Sequence, residues 1–313
     1  MKEVTNNILN LLEKHNNDLR IAKQFLYDQR EELDFMQGSY DVSDDASIEV
    51  VRGLYHRYPS KVLIFPTESC FGECRFCFRK HIRKNAVLSD EEFEKIVEYI
   101  ATKPEINEVI FSGGDPMTVN NKKLFSMIDK IKNINSIKII RIHTRVLTYS
   151  PERIDDEFIS YIKGKQPFFM VFHINSVLEL SDVACEKAMQ LANNGIPCFS
   201  QTALLHEIND SYDDLKNLYE KLLELRIKPY YLFHPDMVKG NDHFYVPIEK
   251  GVSIYKSLFN YISGLSMPIY LLNIPGGGGH CIMDLNNMQR DENGNYIVKD
   301  WKNICHTFKE TQL

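Results

Sequence analysis

The run Glu68-Ser69-Cys70-Phe71-Gly72-Glu73-Cys74-Arg75-Phe76-Cys77-Phe78-Arg79-Lys80 decides how the rest of the chain is read. Cys70, Cys74 and Cys77 stand at a three-then-two spacing that lets their thiolates wrap one face of a small cluster. Iron–sulfur clusters are normally held by cysteine thiolates, and a [4Fe–4S] cubane held by three of them keeps one iron open. Structural zinc asks for four closed ligands. No second close Cys/His pair lies nearby, although His81 follows four residues on. A disulfide is the poorest account, because three cysteines so close cannot pair off and the chain has an intracellular character.

The spacing resembles the radical SAM signature. That resemblance implies that S-adenosylmethionine (SAM) chelates the open iron through its amino and carboxylate groups. An electron from the cluster then breaks a C–S bond and releases a 5′-deoxyadenosyl radical. Such chemistry belongs to the cofactor, while the protein positions it and keeps water out. Phe76, just before the third cysteine, is placed to lie beside an adenine.

Composition sets the outer limits. A chain of 313 residues fits one large domain or two small ones, and 43% hydrophobic with 26% charged residues is ordinary for a soluble globular protein. Lys+Arg 37 against Asp+Glu 43 leaves a net charge of −6, which gives no general attraction to nucleic acid or an anionic membrane. Met1-Lys2-Glu3-Val4-Thr5-Asn6 leads into polar sequence rather than a signal peptide, and no apolar run is long enough to span a bilayer. A cytoplasmic location is expected. Cys185, Cys198, Cys281 and Cys305 are scattered and read as reduced thiols. A cluster open at one iron is expected to be oxygen-sensitive.

Residues 1–50 are polar and helical in pattern, with Ile8, Leu9, Leu11 and Leu12 and then Ile21, Phe25 and Leu26 at helical spacing. They form a helical lead-in. From Lys61 a strand–helix rhythm begins. Strands are expected at 61–67, 107–111, 137–145, 168–174, 197–204, 229–234 and 268–273. Helices are expected near 89–101, 121–133, 151–163, 181–194, 211–225 and 247–263. Nearly continuous apolar, β-branched strands alternating with helices argue for a parallel sheet buried on both faces. The fold class is α/β, a partial (β/α)6 TIM-type barrel over 51–275, followed by a short C-terminal segment over 276–313. In such barrels the reactive centre lies at the C-terminal strand ends. Polar residues gather there: Cys70, Gly113-Gly114-Asp115, His143 with Arg145, His173 with Asn175, Gln201, and His234 with Asp236. One histidine at a strand end is usually structural, but polar endings on every strand point to a shared cavity. Near the end, Asp291-Glu292-Asn293-Gly294-Asn295 reads as a hairpin turn, and Asp300-Trp301 opens a final helix or tail.

From about Arg57 to His280 the chain resembles the lysine 2,3-aminomutase family of radical SAM enzymes. The landmarks are His56-Arg57-Tyr58-Pro59, the cysteine run, Phe111-Ser112-Gly113-Gly114-Asp115-Pro116, Arg141-Ile142-His143-Thr144-Arg145, His173-Ile174-Asn175 and Ile274-Pro275-Gly276-Gly277-Gly278-Gly279. The resemblance implies an enzyme that shifts an amino group between neighbouring carbons, with SAM to start the radical and pyridoxal phosphate (PLP) to carry the nitrogen. It places Arg57, Tyr58 and Lys61 on the PLP phosphate, Lys61 replacing a usual Arg and losing its planar fork. It places Arg79 on the substrate carboxylate, a match for bidentate geometry. Gly113, Gly114 and Asp115 fall where SAM's methionyl amino group is met, where glycine lets backbone approach a ligand. His173 and Gln201 fall in the SAM and PLP region, and Asp236 on the distal amine of lysine.

Two departures change that expectation. The PLP lysine that directly follows the four glycines is here His280, and imidazole cannot form a Schiff base with an aldehyde as an amine does. The second carboxylate for the distal amine, before Ile274-Pro275, is here Asn273. His280 is read in three ways: beside a non-covalently held PLP, as a general acid or base in a PLP-free site, or as a cap on the glycine loop. Lys239 is the one other lysine worth testing as a substitute.

The expected function is therefore a radical SAM enzyme of isomerase or related mutase or lyase type. It abstracts hydrogen from a small amino-acid-like substrate, with His280 and Asp236 as catalytic candidates and Arg79, Asp236 and Asn273 as substrate contacts. Its electron donor is of the flavodoxin or ferredoxin kind. No nucleic-acid or membrane partner is expected, and the oligomeric state is left open. The alternatives are a 2,3-aminomutase with non-covalent PLP, an enzyme modifying a lysine of a protein, and a non-catalytic cluster-binding paralogue.

Overall fold

The computed structural model describes residues 4–33, 38–82, 86–165, 167–285 and 288–310. The parts of the lead-in and C-terminal readings that fall on 1–3, 34–37, 286–287 and 311–313 lie outside these residues.

The lead-in folds as α1 (Asn6–Lys14), α2 (Leu19–Phe25) and the single turn α3 (Asp45–Ile48). Ile8, Leu11, Leu12, Ile21 and Phe25 form one apolar face, which closes on Tyr149 and reaches Phe71 and Cys74 of the cysteine loop. Helical spacing thus finds its counter-surface on the cysteine loop itself. Two further ties hold it there. The Arg75 N–H donates to the Gln24 carbonyl at 2.9 Å. Glu31 pairs with Arg75 at 2.6 Å and Lys80 at 3.1 Å.

An antiparallel hairpin follows that the sequence pattern did not reveal, β1 (Glu49–Val51) and β2 (Leu54–Tyr58). Then come β3 (Lys61–Ile64), α4 (Asp90–Ala101), β4 (Glu108–Phe111), α5 (Asn121–Lys132) and β5 (Ile139–Thr144). Ser89 and Glu92 close a reciprocal capping box at the start of α4. A short α6 (Val146–Tyr149) precedes the helix expected over 151–163, which is divided into a 3-10 turn at Pro151–Arg153 and α7 (Asp156–Lys163). Proline can open a helical turn but not continue one, and Asp155 starts a new helix by accepting the Phe158 N–H at 2.7 Å.

The alternation continues through β6 (Phe168–His173), α8 (Asp182–Asn193), β7 (Cys198–Ala203), α9 (Tyr212–Glu224), β8 (Ile227–Phe233), α10 (Ile248–Leu258) and β9 (Ile269–Ile274). Next comes β10 (Gly279–Ile282), antiparallel to β9, and a separate small sheet of β11 (Gln289–Arg290), β12 (Tyr296–Lys299) and β13 (Cys305–Phe308). The expected turn joins β11 to β12, with the Asp291 N–H on the Asn295 carbonyl at 2.8 Å. The stretch from Asp300-Trp301, expected as a final helix or tail, is a tight turn into β13: the Asp300 carboxylate accepts from the Lys302 and Ile304 N–H groups at 2.8 Å, which reverses the chain.

The main sheet has ten strands in sequence order. From β3 to β9 every pairing is parallel, giving six strand–helix units closed by a seventh strand. The fold is α/β, as expected, and the sheet rolls into a partial barrel. Its two ends meet through side chains rather than a backbone ladder. The His280 N–H of β10 donates to the Tyr58 hydroxyl of β2 at 3.3 Å, and the Arg57 guanidinium donates to the Gly277 carbonyl. Short β1 makes this closure feasible: it pairs only with the first half of β2 and leaves Arg57 and Tyr58 facing β10. No disulfide joins any of the cysteines. Among the described residues no helix is long and apolar enough to cross a membrane.

Candidate active site

The barrel interior holds a cavity of about 510 Å³, within the range of small-molecule sites. Its wall takes in Cys70, Cys74 and Cys77 at one end and Asp236, Asn273 and His280 at the other. Also on the wall are Arg57, Tyr58, Lys61, Phe76, Arg79, Gly113, Gly114, Asp115, His173 and Gln201, so the residues singled out from the sequence face one space. Lys239 does not line it. Its ammonium lies over the Tyr40 ring, 5.1 Å from the centroid. The sequence offered Lys239 for its nearness to Asp236 along the chain, but among the described residues it is Lys61 that lines the cavity.

The cysteine end is a charge-stabilised loop. Arg145, just past β5, donates from Nη1 to the Cys74 sulfur at 2.9 Å, and the Tyr149 hydroxyl lies 3.3 Å from the same sulfur. Burial and then the charge of Cys74 push the Tyr149 phenol up, so it keeps its proton and donates it. Arg145 and Tyr149 thus converge on the Cys74 sulfur, and cysteine sulfur is the usual ligand of iron–sulfur clusters. The donor set therefore fits a cluster carried on three cysteines. Among the described residues no three or more His, Cys, Asp or Glu side chains are grouped to hold a single metal ion.

Arg145 is itself held by deeply placed partners. It donates to Glu179 at 2.7 Å, to the Gln24 side chain at 2.9 Å and to the His173 carbonyl at 3.3 Å. Glu179 is 0% exposed and also accepts from Gln24, Thr148 and the N–H groups of Asn175 and Ser176, each at 2.9 Å. Sequence reasoning missed Tyr149, Glu179 and Gln24. Ser176-x-x-Glu179 looks like an ordinary capping box, and it is one, but the same carboxylate turns inward to serve Arg145.

The glycine turn lines the cavity and also packs tightly on the chain before Cys70. A Cβ on Gly114 would lie 2.2 Å from the Ser69 carbonyl oxygen, and one on Gly113, where φ is +103°, 2.7 Å from Phe65. The glycines are required because the turn packs directly on the strand leading into Cys70. Asp115 lines the cavity but spends its carboxylate on the fold. Its carboxylate accepts from the Thr144 hydroxyl at 2.7 Å and from the N–H groups of Arg145 at 2.8 Å and Met117 at 3.0 Å. Burial nevertheless pushes its pKa up to about 6 against those donors.

Phe76 of the loop lies with its ring tilted against His173, centroids 5.5 Å apart, and nearby on the wall His143 has its Nε2 buried without a hydrogen-bond partner among the described residues. Burial pushes both His143 and His173 down, the latter to about 3, so both are neutral imidazoles. His143 Nε2 is thus open for a ligand.

At the other end, the two departures prove to be neighbours. His280 on β10 is directly opposite Asn273 on β9, and the Asn273 amide donates to Asp236 at 3.0 Å. Cross-strand partners project to one face, so the three form a row. The His280 ring lies 5.5–6.3 Å from Phe233, Tyr231 and Tyr58. Surrounding protein and then the charges of Lys61 and Arg57 push its imidazole down, although its surface stays accessible through the cavity. It is neutral at pH 7. Position 280 lacks an amine, Arg57 donates to the Ser43 and Gly277 carbonyls, and the Tyr58 hydroxyl accepts from His280.

Burial pushes Asp236 up to about 6, opposed by the Asn273 amide and the charge of Arg79. A raised carboxyl pKa contributes stability that is complete below about pH 4 and is lost as pH rises through about 6. Part of the Asp236 surface opens to the cavity, which moderates the effect. Asp236→Asn should therefore gain on the wild type by about 1–3 kcal/mol between pH 4 and pH 8, measured by urea unfolding at each pH.

With this geometry in view, the likenesses to known proteins are specific. Residues 64–228 match the Radical SAM superfamily. The chain is 33% identical to L-lysine 2,3-aminomutase of Fusobacterium nucleatum over 264 residues, which is 84% of this chain and 62% of that enzyme. It is 33% identical to glutamate 2,3-aminomutase of Clostridioides difficile over 256 residues, 81% of this chain and 59% of that one. It thus spans about three fifths of the length of these relatives. Among solved structures, SuiB of Streptococcus suis bound to S-adenosylmethionine shares the fold with a TM-score of 0.51 at 14% identity, covering 69% of this chain and 48% of that one. A radical SAM methyltransferase from Sphaerobacter thermophilus does so with a TM-score of 0.50 at 13% identity, covering 70% and 67%. The family implies a [4Fe–4S] cluster and SAM, which the three-cysteine loop suits. The chain belongs to the Radical SAM superfamily.

Proposed function

We propose that this chain is a radical SAM enzyme that takes hydrogen from a small amine-bearing, amino-acid-like substrate and lets the resulting radical rearrange, without a covalently held PLP. The observation that carries the proposal is the sharing of one cavity by the Cys70-Cys74-Cys77 loop and the Asp236–Asn273–His280 row, with imidazole where an aldehyde-binding amine would be needed.

Bound cluster and SAM supply a carbon-centred oxidant once an electron arrives from a donor of the flavodoxin or ferredoxin kind. The remaining work belongs to the chain. Arg145 and Tyr149 fix the Cys74 sulfur. Phe76 offers an aromatic face to an adenine, while His143 and Gln201 offer hydrogen-bonding groups to a ligand. Asp236, ionised above about pH 6, holds an ammonium, and Asn273 orients that carboxylate through its amide. One carboxylate rather than two suits a less cationic or shorter side chain than lysine. His280, neutral, accepts a proton or hydrogen bond beside the substrate. Aromatic rings of Tyr58, Tyr231 and Phe233 flank His280 at that end.

Anaerobic, reconstituted protein given SAM and a strong reductant should release 5′-deoxyadenosine. Cys74→Ser should reduce that release by at least about a hundredfold, together with the visible absorbance of the cluster. Product chromatography that finds intact SAM throughout refutes the proposal.

A second reading, with PLP held non-covalently, is favoured by Arg57 and Lys61. Both line the cavity, and neither has a carboxylate within ion-pair distance among the described residues, which leaves them able to face a phosphate. It requires a PLP absorbance band that survives desalting.

A further inference from the structure

Among the described residues five lysine and arginine side chains line the cavity: Arg57, Lys61, Arg79, Arg141 and Arg145. Three are matched by a carboxylate of the chain itself. Arg141 pairs with Glu108, Arg145 with Glu179, and Arg79 with Asp45. Glu108 and Glu179 stand outside the cavity lining. Asp45 differs, since it lines the cavity and comes from the lead-in.

The Arg79–Asp45 contact is a built one. Nε donates to one carboxylate oxygen at 2.6 Å, and Nη2 lies 3.4 Å from the other. The guanidinium packs on the rings of Phe78 and Phe65, 4.2 and 4.9 Å from their centroids. The two side chains are only 14% and 8% exposed. The turn that carries Asp45 is stitched in place. Arg57 donates to the Ser43 carbonyl, the Gly276 N–H to the Val42 carbonyl at 3.2 Å, and the Asp45 N–H to the Asp41 carboxylate at 3.0 Å. Asp44 adopts a left-handed φ of 49° to make the bend.

We infer that Asp45 is a specificity-determining residue: it fills the carboxylate-binding fork of Arg79 from within the chain, so the substrate carries no carboxylate at that fork and is anchored through its amine on Asp236. An incoming carboxylate would have to displace a buried counter-ion and leave Asp45 uncompensated, which is heavily penalised. An ammonium meets no such obstacle at Asp236, whose hydrogen-bonding partner Asn273 is neutral. This inference rests on the proposed reading of the cavity as the substrate site, and it narrows the substrate to amines or amino-acid derivatives whose carboxyl group is absent or masked.

L-lysine and L-lysinamide differ at the carboxyl group, charged in one and a neutral amide in the other, and serve as probes. Both are titrated by calorimetry into anaerobic reconstituted protein holding SAM. Wild type should bind L-lysinamide at least tenfold more tightly than L-lysine. Asp45→Asn should raise the affinity for L-lysine at least tenfold, and adding Arg79→Gln should remove that gain. A wild type without the preference for L-lysinamide, including one that binds neither probe, overturns the inference. So does an Asp45→Asn protein with no gain for L-lysine. If Asp45→Asn does not fold, the wild-type pair decides. These titrations need no turnover. Failure to release 5′-deoxyadenosine with both affinities as expected would reject the radical chemistry alone, and the converse would reject this inference alone.

Discussion

Glu179→Gln should lower the unfolding free energy by about 3–5 kcal/mol, one of the two largest effects expected of a single substitution here. Its carboxylate is 0% exposed and receives five donors, among them Arg145. Glutamine keeps the volume but turns one acceptor into a donor, so it must oppose either Arg145 and Thr148 or the Asn175 and Ser176 N–H groups. It also removes the counter-charge of a buried guanidinium, and breaking a buried pair from one side is costly. Urea unfolding should show a lower midpoint with an unchanged slope. The effect has a pH signature. Burial pushes the Glu179 carboxyl up, but Arg145, the Gln24 amide and the Asn175 N–H outweigh it and hold the pKa below its ordinary value. The stabilisation is therefore present above about pH 4.5 and fades as pH falls through the folded pKa, so the gap between wild type and variant should narrow in acid. The variant should also load iron poorly, because Arg145 is what holds the Cys74 sulfur.

Gly114→Ala should cut iron retained after reconstitution by about tenfold and destabilise the chain by more than about 3 kcal/mol. The added carbon would lie 2.2 Å from the Ser69 carbonyl oxygen and 2.5 Å from the Glu68 carbonyl carbon, both backbone atoms that cannot rotate aside. Relief requires the 65–69 segment to move. The Gly114 N–H to Thr67 and Asp115 N–H to Ser69 bonds, 3.1 and 2.7 Å, would then be lost one residue from Cys70. Gly264→Ala is the matched control: a Cβ there meets nothing within 4 Å, and its effect should stay within about 0.5 kcal/mol. Iron analysis and urea unfolding on the same preparations separate a damaged cluster loop from general instability. An unchanged iron content in Gly114→Ala would mean that the turn does not support the loop.

Much of the barrel was legible because its signals are local. Apolar runs of four to seven residues gave strands, and Ser89 with Glu92 marked the start of a helix. What escaped was short or depended on distant partners. β1 and β2 carry too few residues to show a period, yet they place Arg57 and Tyr58 against β10. The Asp300 turn read as a final helix or tail, because an aspartate capping N–H groups two and four residues on looks the same at a helix start.

The sequence by itself determined the chemistry's raw material. Three thiolates at fixed spacing, a strand–helix alternation and a histidine after four glycines are all properties of contiguous residues, and contiguity fixes them before any folding. Only the tertiary structure decided which charges answer one another. Asp45 meets Arg79, Glu179 meets Arg145, and Asn273 stands between Asp236 and His280, pairs separated by 34, 34 and 37 positions and by a cross-strand register. Ion pairing and hydrogen bonding depend on distance and burial in space, and nothing in the local pattern of residues records either until the sheet has rolled its two ends together.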